Sequence, residues 1–416
     1  MLVSKLCLSG GIFMSFFKIK KLLWSAARIV TAMLLCFAVL SGCSLSVLQP
    51  ECTKAPSRVS QLDFPVKYPT DVSAKAAVLI EASTGTVISA KNANMRLPMA
   101  STTKIMTALV AIENCDISTV VTVSPDAVGV EGSSIYLFEG EQLTLEELLY
   151  ALLLASANDA AAAIAIEVGG SIEGFAEMMN DKAREMGLSD THFTNPHGLD
   201  DPEHYTTAAE LAKIASVAMK NEVFRTIVST RKRTIPQNDG EGVRLLVNHN
   251  KLLNSYEGCI GVKTGFTKQS GRCLVSAAER DGIELIAVTL SAPDDWNDHK
   301  TMLDYGFSLY ESRTLCGEGE FQYIMPVISG NMEYVILKNE RDVALTLPKN
   351  AAEAECTVEL PSFIYAPVSQ GEQVGSLIYT VDGKIVAEMP IIASYSVDRT
   401  AYKKNFWERL SSLFGR

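Results

Sequence analysis

Three short polar motifs in a fixed order constrain this chain of 416 residues more than any other feature. They are Ser101-Thr102-Thr103-Lys104, Ser156-Ala157-Asn158 and Lys263-Thr264-Gly265. Each is short enough to occur by chance. The ordered set, however, describes one kind of active site, which has a serine nucleophile, a lysine base, a polar loop and a basic edge strand. The chain must therefore fold so that three distant segments meet in one cleft.

The first motif carries the predicted chemistry. Ser101 precedes an apolar run, residues 105–110, which predicts a helix, and residues three apart share one helical face. The Ser101 hydroxyl and the Lys104 amine can therefore meet, and a serine becomes a good nucleophile when a neighbour takes its proton. Burial and a second cation, here Lys263, would lower the pKa of Lys104 for that task. Taken alone, the motif favours an N-cap serine beside a solvated lysine.

The second motif lies in a short polar loop between two predicted apolar helices. Thr144 and Glu147 form a capping box that starts the first of these helices, residues 148–154. From this loop Ser156 can pass a proton to a leaving amine, and Asn158 can hold a substrate amide and orient the lysine base. An ordinary helix–helix turn is the alternative for the tripeptide alone, because Ser and Asn favour turns.

The third motif lies in a predicted strand that is followed by a turn. Adjacent lysine and threonine side chains can bind a substrate carboxylate there, and a glycine lets a peptide lie close to the strand. Backbone N–H groups, of Ser101 and of the residue after that glycine, can form an oxyanion hole. A hairpin with a surface lysine is the alternative, which the ordered coincidence of the three motifs disfavours. The predicted substrate-binding residues are Lys263, Thr264, Gly265 and Phe266.

Together these residues resemble the low-molecular-mass penicillin-binding proteins, the D-alanyl-D-alanine carboxypeptidase family of serine peptidases. Residues 193–208 and 248–253 resemble this family too, although His249 and Phe266 stand where members often carry arginine and histidine. The resemblance is strong over residues 72–311 and looser beyond them. It implies an α/β (α+β) fold, with a β-lactamase/transpeptidase-like sheet, an inserted helical subdomain and a small all-β C-terminal domain.

The resemblance also implies a reaction. Ser101 attacks the carbonyl of the penultimate D-Ala in a peptidoglycan stem peptide, Lys104 takes the hydroxyl proton, and the terminal D-Ala leaves with its amine protonated through Ser156. Water then hydrolyses the acyl-enzyme. Penicillin resembles the D-Ala-D-Ala end, so it acylates the same serine and is released slowly. The expected partners are stem peptides and β-lactam antibiotics, with no cofactor and no metal.

Two other functions stay open on the sequence. A β-lactamase uses the same motifs, but its class A version holds a water with a glutamate, and the nearest stretch here, Asn250-Lys251-Leu252-Leu253-Asn254, begins with asparagine. A non-catalytic penicillin-binding sensory protein would keep the pocket without turnover, which the intact motif residues disfavour. The formal net charge of -11 argues against nucleic-acid binding.

The N-terminus predicts export. Basic residues between Lys18 and Arg28 precede the apolar run 29–40, the layout of a secretory signal. The sequence Leu40-Ser41-Gly42-Cys43 resembles a bacterial lipoprotein cleavage site, which predicts lipidation of Cys43; ordinary signal cleavage is the alternative. The protein is therefore expected to be secreted across the cytoplasmic membrane and held on its outer face.

Composition changes along the chain predict its domain order. After about residue 313, short alternating strands replace helical patterns. The last residues place apolar side chains on one helical face, too short to span a bilayer but suited to its interface; packing on the β domain is the alternative. The predicted order is a signal sequence at 1–43, a tether at 44–71, the peptidase domain at 72–312, a small β domain at 313–396 and an amphipathic helix at 397–416.

Overall fold

The computed structural model describes residues 72–237 and 242–400. The predicted signal sequence, Cys43, the tether and residues 401–416 of the predicted terminal helix lie outside the described residues. Residues 397–400 of that predicted helix are extended instead. Val397 pairs with Val368, and Arg399 pairs with Gly330, so the backbone of this segment bonds to the β domain rather than to itself.

Seventeen strands lie within residues 72–237 and 242–400. They are β1 (Ala76–Glu81), β2 (Val87–Lys91), β3 (Val120–Thr122), β4 (Gln142–Thr144), β5 (Lys232–Gln237), β6 (Gly242–Val247), β7 (Cys259–Thr267), β8 (Gly271–Arg280), β9 (Ile283–Leu290), β10 (Tyr310–Cys316), β11 (Gln322–Ile328), β12 (Tyr334–Asn339), β13 (Val343–Pro348), β14 (Glu355–Glu359), β15 (Ile364–Tyr365), β16 (Gln373–Val381) and β17 (Lys384–Ala393).

The helices follow the same order. They are α1 (Lys104–Asn114), α2 (Leu145–Leu154), α3 (Asn158–Gly169), α4 (Ile172–Glu185), α5 (Ala208–Met219), α6 (Glu222–Ser229), α7 (Leu252–Ser255) and α8 (Asp295–Leu309). None of the helices within residues 72–237 and 242–400 is both long and apolar enough to cross a membrane.

The first sheet has five antiparallel strands in the order β2-β1-β9-β8-β7. Its members come from both sides of a helical insertion, which confirms the predicted fold class. Both faces of β1 are buried: Val78 and Ile80 pack into the core with the inserted helices, while Ala77 and Leu79 pack with α8. This alternation is what period-two side-chain placement in a covered strand requires. Strand β7 forms one edge of the sheet.

Local sequence explains the helices that surround the cleft. Thr144 accepts a hydrogen bond from the backbone of Glu147, whose side chain accepts from the backbone of Thr144, so the predicted capping box is present and starts α2. Helix α2 ends at Leu154, and α3 begins at Asn158. The second motif therefore forms the connection between two buried helices, as its composition predicts.

The start of the first motif differs from the simple helix predicted for it. Ala100–Thr103 forms a 3₁₀ turn, and α1 begins only at Lys104. Ala100 has a φ of 47°, a left-handed conformation that L-residues adopt rarely. The chain thus enters the helix through a tight turn, which lifts Ser101 out of the regular helical ladder.

The C-terminal part is all β, as predicted. A two-stranded sheet, β10-β13, lies beside a six-stranded sheet in the order β14-β16-β17-β12-β11-β15. Met325, Val335, Leu337 and Ile391 are fully buried in its own apolar cluster. Strand β10 starts at Tyr310, directly after α8, so the β structure begins slightly before the predicted residue 313.

Candidate active site

Ser101 and Lys104 lie together in the cleft beside β7. The amine of Lys104 donates a hydrogen bond to the Ser101 hydroxyl at 2.9 Å. Lys104 is completely buried, whereas Ser101 is partly exposed and can reach a ligand in the cleft. A buried amine in contact with a hydroxyl that solvent can reach is the arrangement that general-base activation of a serine requires.

The environment of Lys104 favours its neutral form. Burial lowers the pKa of Lys104 well below its usual value, and the charge of Lys263 lowers it further; Asp159 acts weakly in the opposite direction. Water removal disfavours an ammonium, and a neighbouring cation repels it. Lys104 is therefore deprotonated more readily than a solvated lysine. These are the two causes that the sequence predicts.

Asn158 fixes the lysine from the second motif. Its Oδ1 accepts a hydrogen bond from the Lys104 amine at 2.7 Å, while its Nδ2 donates to the Glu131 carbonyl. The backbone N–H of Asn158 also donates to the Ser133 carbonyl at 2.7 Å. Its amide orientation is therefore set from three sides. Ser156, in the same motif, is buried and has a φ of 59°.

Lys263 joins the second motif to the third. Its amine donates to the Ser156 hydroxyl at 3.0 Å and to the Thr264 carbonyl at 2.9 Å. Burial lowers the pKa of Lys263 to about 7. The structure thus brings the side chains of Ser101, Lys104 and Asn158 into one group, and those of Ser156 and Lys263 into a second.

Gly265 places β7 directly against the nucleophile turn. A Cβ at Gly265 would lie 3.1 Å from the Met99 carbonyl oxygen and 3.1 Å from the Ser101 nitrogen. Only a residue without a side chain allows this approach without displacing the turn. Phe266 follows with its side chain 65% exposed, and Thr264 is half-buried.

The structure adds a backbone acceptor that the sequence analysis missed. The carbonyl of His197 accepts a third hydrogen bond from the Lys104 amine at 2.7 Å. Asn195 orders this turn, because its Oδ1 accepts from the Gly198 N–H at 2.7 Å. Gly198 has a φ of 87°, and a Cβ there would lie 1.9 Å from the Ala100 carbonyl oxygen. The sequence Asn-Pro-His-Gly indicates a turn at this position. No sequence pattern, however, predicts that a backbone carbonyl of this turn accepts a hydrogen bond from a distant lysine.

The histidines near the cleft have structural contacts. His204 is buried, with its Nε2 2.7 Å from the Thr103 hydroxyl, and burial lowers its pKa to about 4. Burial lowers the pKa of His197 to about 3, with a smaller effect from Lys104. Burial and then Lys263 lower the pKa of His249. The lowered pKa values favour neutral imidazoles at all three positions, although His249 is exposed.

A buried polar network, also missed by the sequence analysis, holds the loop in front of Asn158. Asp159 accepts hydrogen bonds from the backbone N–H groups of Ile135 and Leu137. From the other side Arg244 donates to the Ile135 carbonyl at 2.8 Å and pairs with buried Glu141 at 2.6 Å. Two buried charged groups thus clamp the loop wall of the cleft.

Comparisons with known proteins identify relatives of this chain. Residues 63–294 match the family model of peptidase S11, D-alanyl-D-alanine carboxypeptidase, and residues 310–399 match that of the penicillin-binding protein 5 C-terminal domain. D-alanyl-D-alanine carboxypeptidase DacF of Bacillus subtilis is 34% identical over 360 residues, which cover 84% of this chain and 92% of that protein.

Two further relatives cover different shares of the chain. The D-alanyl-D-alanine carboxypeptidase of Streptomyces sp. K15 is 37% identical over 59% of this chain and 90% of that protein. The solved structure of penicillin-binding protein 5 from Haemophilus influenzae superposes with a TM-score of 0.62 and 28% identity, covering 80% of this chain and 100% of that one. The chain therefore belongs to the S11 family of serine peptidases, the D-alanyl-D-alanine carboxypeptidases.

Proposed function

We propose that the chain removes the terminal D-Ala from peptidoglycan stem peptides through an acyl-enzyme on Ser101. The hydrogen bond of 2.9 Å between the fully buried Lys104 amine and the Ser101 hydroxyl carries this assignment. Lys104 takes the hydroxyl proton as the serine oxygen attacks the carbonyl of the penultimate D-Ala. Asn158 and the His197 carbonyl hold the lysine in position for that transfer.

Strand β7 binds the substrate in this proposal. Lys263 and Thr264 hold the terminal carboxylate, and the peptide lies along the strand where Gly265 leaves room. The N–H groups of Ser101 and Phe266 stabilise the oxyanion that forms when the carbonyl is attacked. The close approach of Gly265 to the Ser101 turn supports this placement, because it brings the backbone of the two segments together.

The collapse of the tetrahedral intermediate completes acylation. The C–N bond breaks, the D-Ala amine takes a proton through Ser156, and the acyl group remains on the Ser101 oxygen. The Ser156 hydroxyl can then take a new proton from the Lys263 amine, since the two side chains are 3.0 Å apart. Water then attacks the ester and releases the shortened peptide. Penicillin follows the first half of this path and is released slowly.

The test is D-alanine release from a stem-peptide mimic ending in D-Ala-D-Ala. The purified chain is compared with Ser101→Ala and with a control, Ser308→Ala, which removes an exposed hydroxyl on α8. Release should vanish in Ser101→Ala and be unchanged in the control. Release that persists in Ser101→Ala, or penicillin labelling of that variant, rejects the nucleophile assignment. Absence of release from the natural sequence, with labelling intact, favours the sensory alternative.

The membrane association of the chain is a separate part of the proposal. Residues 1–43 act as an export signal, Cys43 becomes lipidated, 44–71 form a tether, and the apolar face of the C-terminal segment lies in the membrane interface. One lipidated end and one interfacial helix are two weak anchors that together hold better than either alone. The β domain, about 313–396, would then hold the peptidase domain, 72–312, away from the membrane.

Fractionation of cells tests this anchoring. Deletion of residues 401–416 should loosen membrane association, and replacement of Cys43 by Ala together with the deletion should release the protein from the membrane fraction. The D-alanine release assay on each variant controls for folding. Unchanged partitioning of the double variant contradicts the anchor.

A further inference from the structure

We infer that a basic cavity at the start of β7, outside the catalytic cleft, binds a peptide that ends in a free carboxylate. The cavity lies between the base of the β5–β6 hairpin, α7 and the first residue of β7, and has a volume of about 620 Å³. Its polar lining comprises Ser229, Arg231, Lys232, Asn248, Asn250, Asn254 and Cys259. Volumes of this size are typical of sites that hold small ligands.

The charge of the cavity selects an anion. Arg231 and Lys232 line it, and no aspartate or glutamate does. Neither cation forms an ion pair within the described part of the chain. Burial raises the pKa of the Cys259 thiol to about 11, so the thiol adds no negative charge. Arg231 donates to the Leu253 carbonyl at 2.9 Å, and the rest of its guanidinium and the Lys232 amine remain for a ligand. A carboxylate is a group with which both cations can pair.

An unused donor in the wall points to a polar ligand. Asn250 is 1% exposed, its Oδ1 accepts from the Leu252 N–H at 3.0 Å, and its Nδ2 has no hydrogen-bond partner among the residues described. A buried amide donor without a partner costs free energy of roughly 1–3 kcal/mol. A small adjustment of the wall around a bound carboxylate or peptide carbonyl would satisfy it.

The wall of the cavity is otherwise rigid. The Nδ2 of Asn248 donates to the carbonyls of Val228 and Thr230 at 3.1 and 3.0 Å, and its Oδ1 accepts from the Asn250 N–H at 2.9 Å. The Asn248 amide is thus held in place before a ligand arrives. A ligand that enters such a site loses little affinity to ordering of the protein.

The position of the cavity relates it to the reaction. Cys259 and Lys263 belong to the same strand, so roughly 13 Å separate them at about 3.3 Å per residue. Between Asn248 and Asn250, His249 lies near enough to Lys263 for that charge to lower its pKa. One short segment therefore forms the cavity wall and also approaches the catalytic cleft.

The identity of the ligand follows from substrate direction and rests on the proposed function. The terminal carboxylate is proposed at Lys263 and Thr264 and the scissile carbonyl near Phe266, so the bound stem peptide extends away from Cys259. The cavity is then on the leaving-group side. A second stem peptide that ends in a free carboxylate fits this cavity. The volume of the cavity exceeds what released D-alanine requires, although D-alanine offers the same carboxylate group.

Binding is tested on the full chain after penicillin has acylated Ser101, which blocks the catalytic cleft. Calorimetric titration uses a stem-peptide mimic ending in a single D-Ala, the same mimic with a C-terminal amide, and D-alanine. Lys232→Glu reverses one exposed charge of the cavity. Lys220→Glu reverses an exposed lysine outside it and serves as the matched control.

The mimic with a free carboxylate should bind the acylated chain, and Lys232→Glu should weaken that binding at least tenfold, whereas Lys220→Glu should not. The amide mimic should bind at least tenfold more weakly. Comparable binding of D-alanine would identify the released product as the source of the carboxylate, and its absence would identify a second stem peptide.

Equal binding of the mimic to the natural sequence and to Lys232→Glu, equal binding of acid and amide, or no binding at all would overturn the inference. The mass increase on acylation reports on the proposed function separately. If acylation fails, the same comparison of Lys232→Glu and Lys220→Glu in a Ser101→Ala background still tests the cavity.

Discussion

The amine of Lys104 donates to the hydroxyl of Ser101 at 2.9 Å from a side chain that is completely buried. This one contact links reactivity to stability. Burial removes the water that would otherwise stabilise an ammonium, which lowers the pKa of Lys104 and makes it a base. The same burial costs folding free energy, because a polar amine replaces a side chain that could have packed as an apolar group.

Lys104→Met separates these two effects. Methionine has a similar length and no ionisable group, so acylation by fluorescent penicillin should fall by about 10³-fold, within the range for loss of a general base. The unfolding temperature should change little, because removal of the buried amine is offset by the loss of the donor to the Asn158 Oδ1 and to the His197 carbonyl. Labelling rate and thermal unfolding are measured on the same preparation. A labelling rate near that of the natural sequence contradicts the base assignment.

Asn158→Asp places a carboxylate where the amide oxygen lies 2.7 Å from the Lys104 amine. An opposite charge raises the pKa of the lysine and keeps it protonated at neutral pH. We expect kcat/KM to fall by about 10²-fold at pH 7 and to recover partly as the pH rises. The pH–rate profile is the measurement, and its acidic limb should move to higher pH. An unmoved limb would mean that Lys104 is not the titrating base.

Gly198→Ala tests the turn that supplies the third acceptor of Lys104. Its Cβ would lie 1.9 Å from the Ala100 carbonyl oxygen, so the turn or the nucleophile segment must move. We expect at least a 100-fold loss of acylation, because a displacement of about 1 Å at a reacting group can cost that much. The readout is again the labelling rate with penicillin.

Gly129→Ala is the matched control for this change. Gly129 has a similar φ of 74°, but a Cβ there meets nothing within 4 Å. The substitution should cost only the backbone strain, about 1–2 kcal/mol, and leave acylation unchanged. Equal losses in both variants would assign the effect to strain instead of to the clash with Ala100.

Buried histidines predict loss of stability in acid. Burial lowers the pKa of His197 and His299 to about 3 and that of His204 to about 4, whereas an unfolded histidine titrates near 6.5. At pH values between the folded and the unfolded pKa, these histidines are protonated in the unfolded chain but not in the folded chain. Stability is therefore fully present above about pH 6.5 and declines as the pH falls towards 4, by about 1.4 kcal/mol per pH unit for each histidine.

Urea unfolding at several pH values between 7 and 4.5 measures this decline. His299→Gln should reduce the slope of unfolding free energy against pH by the contribution of one histidine. His299 is fully buried, and its Nε2 lies 2.9 Å from the Thr289 hydroxyl. A slope that is identical in the variant would show that His299 does not contribute.

Much of the architecture follows from local sequence. Thr144 and Glu147 satisfy each other's backbone groups across one turn, so their spacing alone predicts where α2 begins. The alternation of strands β12, β13 and β16 predicts the β domain for the same reason, because each pattern depends on neighbours in the chain. The exception is the turn at Ser101, where packing imposes a 3₁₀ conformation on residues that also suit a regular helix.

The residue types of the candidate site can be read from the three motifs, which contain two serines, two lysines and an asparagine at the positions that the structure brings together. The burial and the hydrogen-bond partners of these residues depend on the tertiary structure. The burial of Lys104, its contact with the His197 carbonyl and the clamp of Asp159 and Arg244 on the loop wall join segments far apart in the chain. Every residue carries a backbone carbonyl, and burial depends on the whole fold. Neither a sequence motif nor a hydrophobic period can therefore predict these contacts.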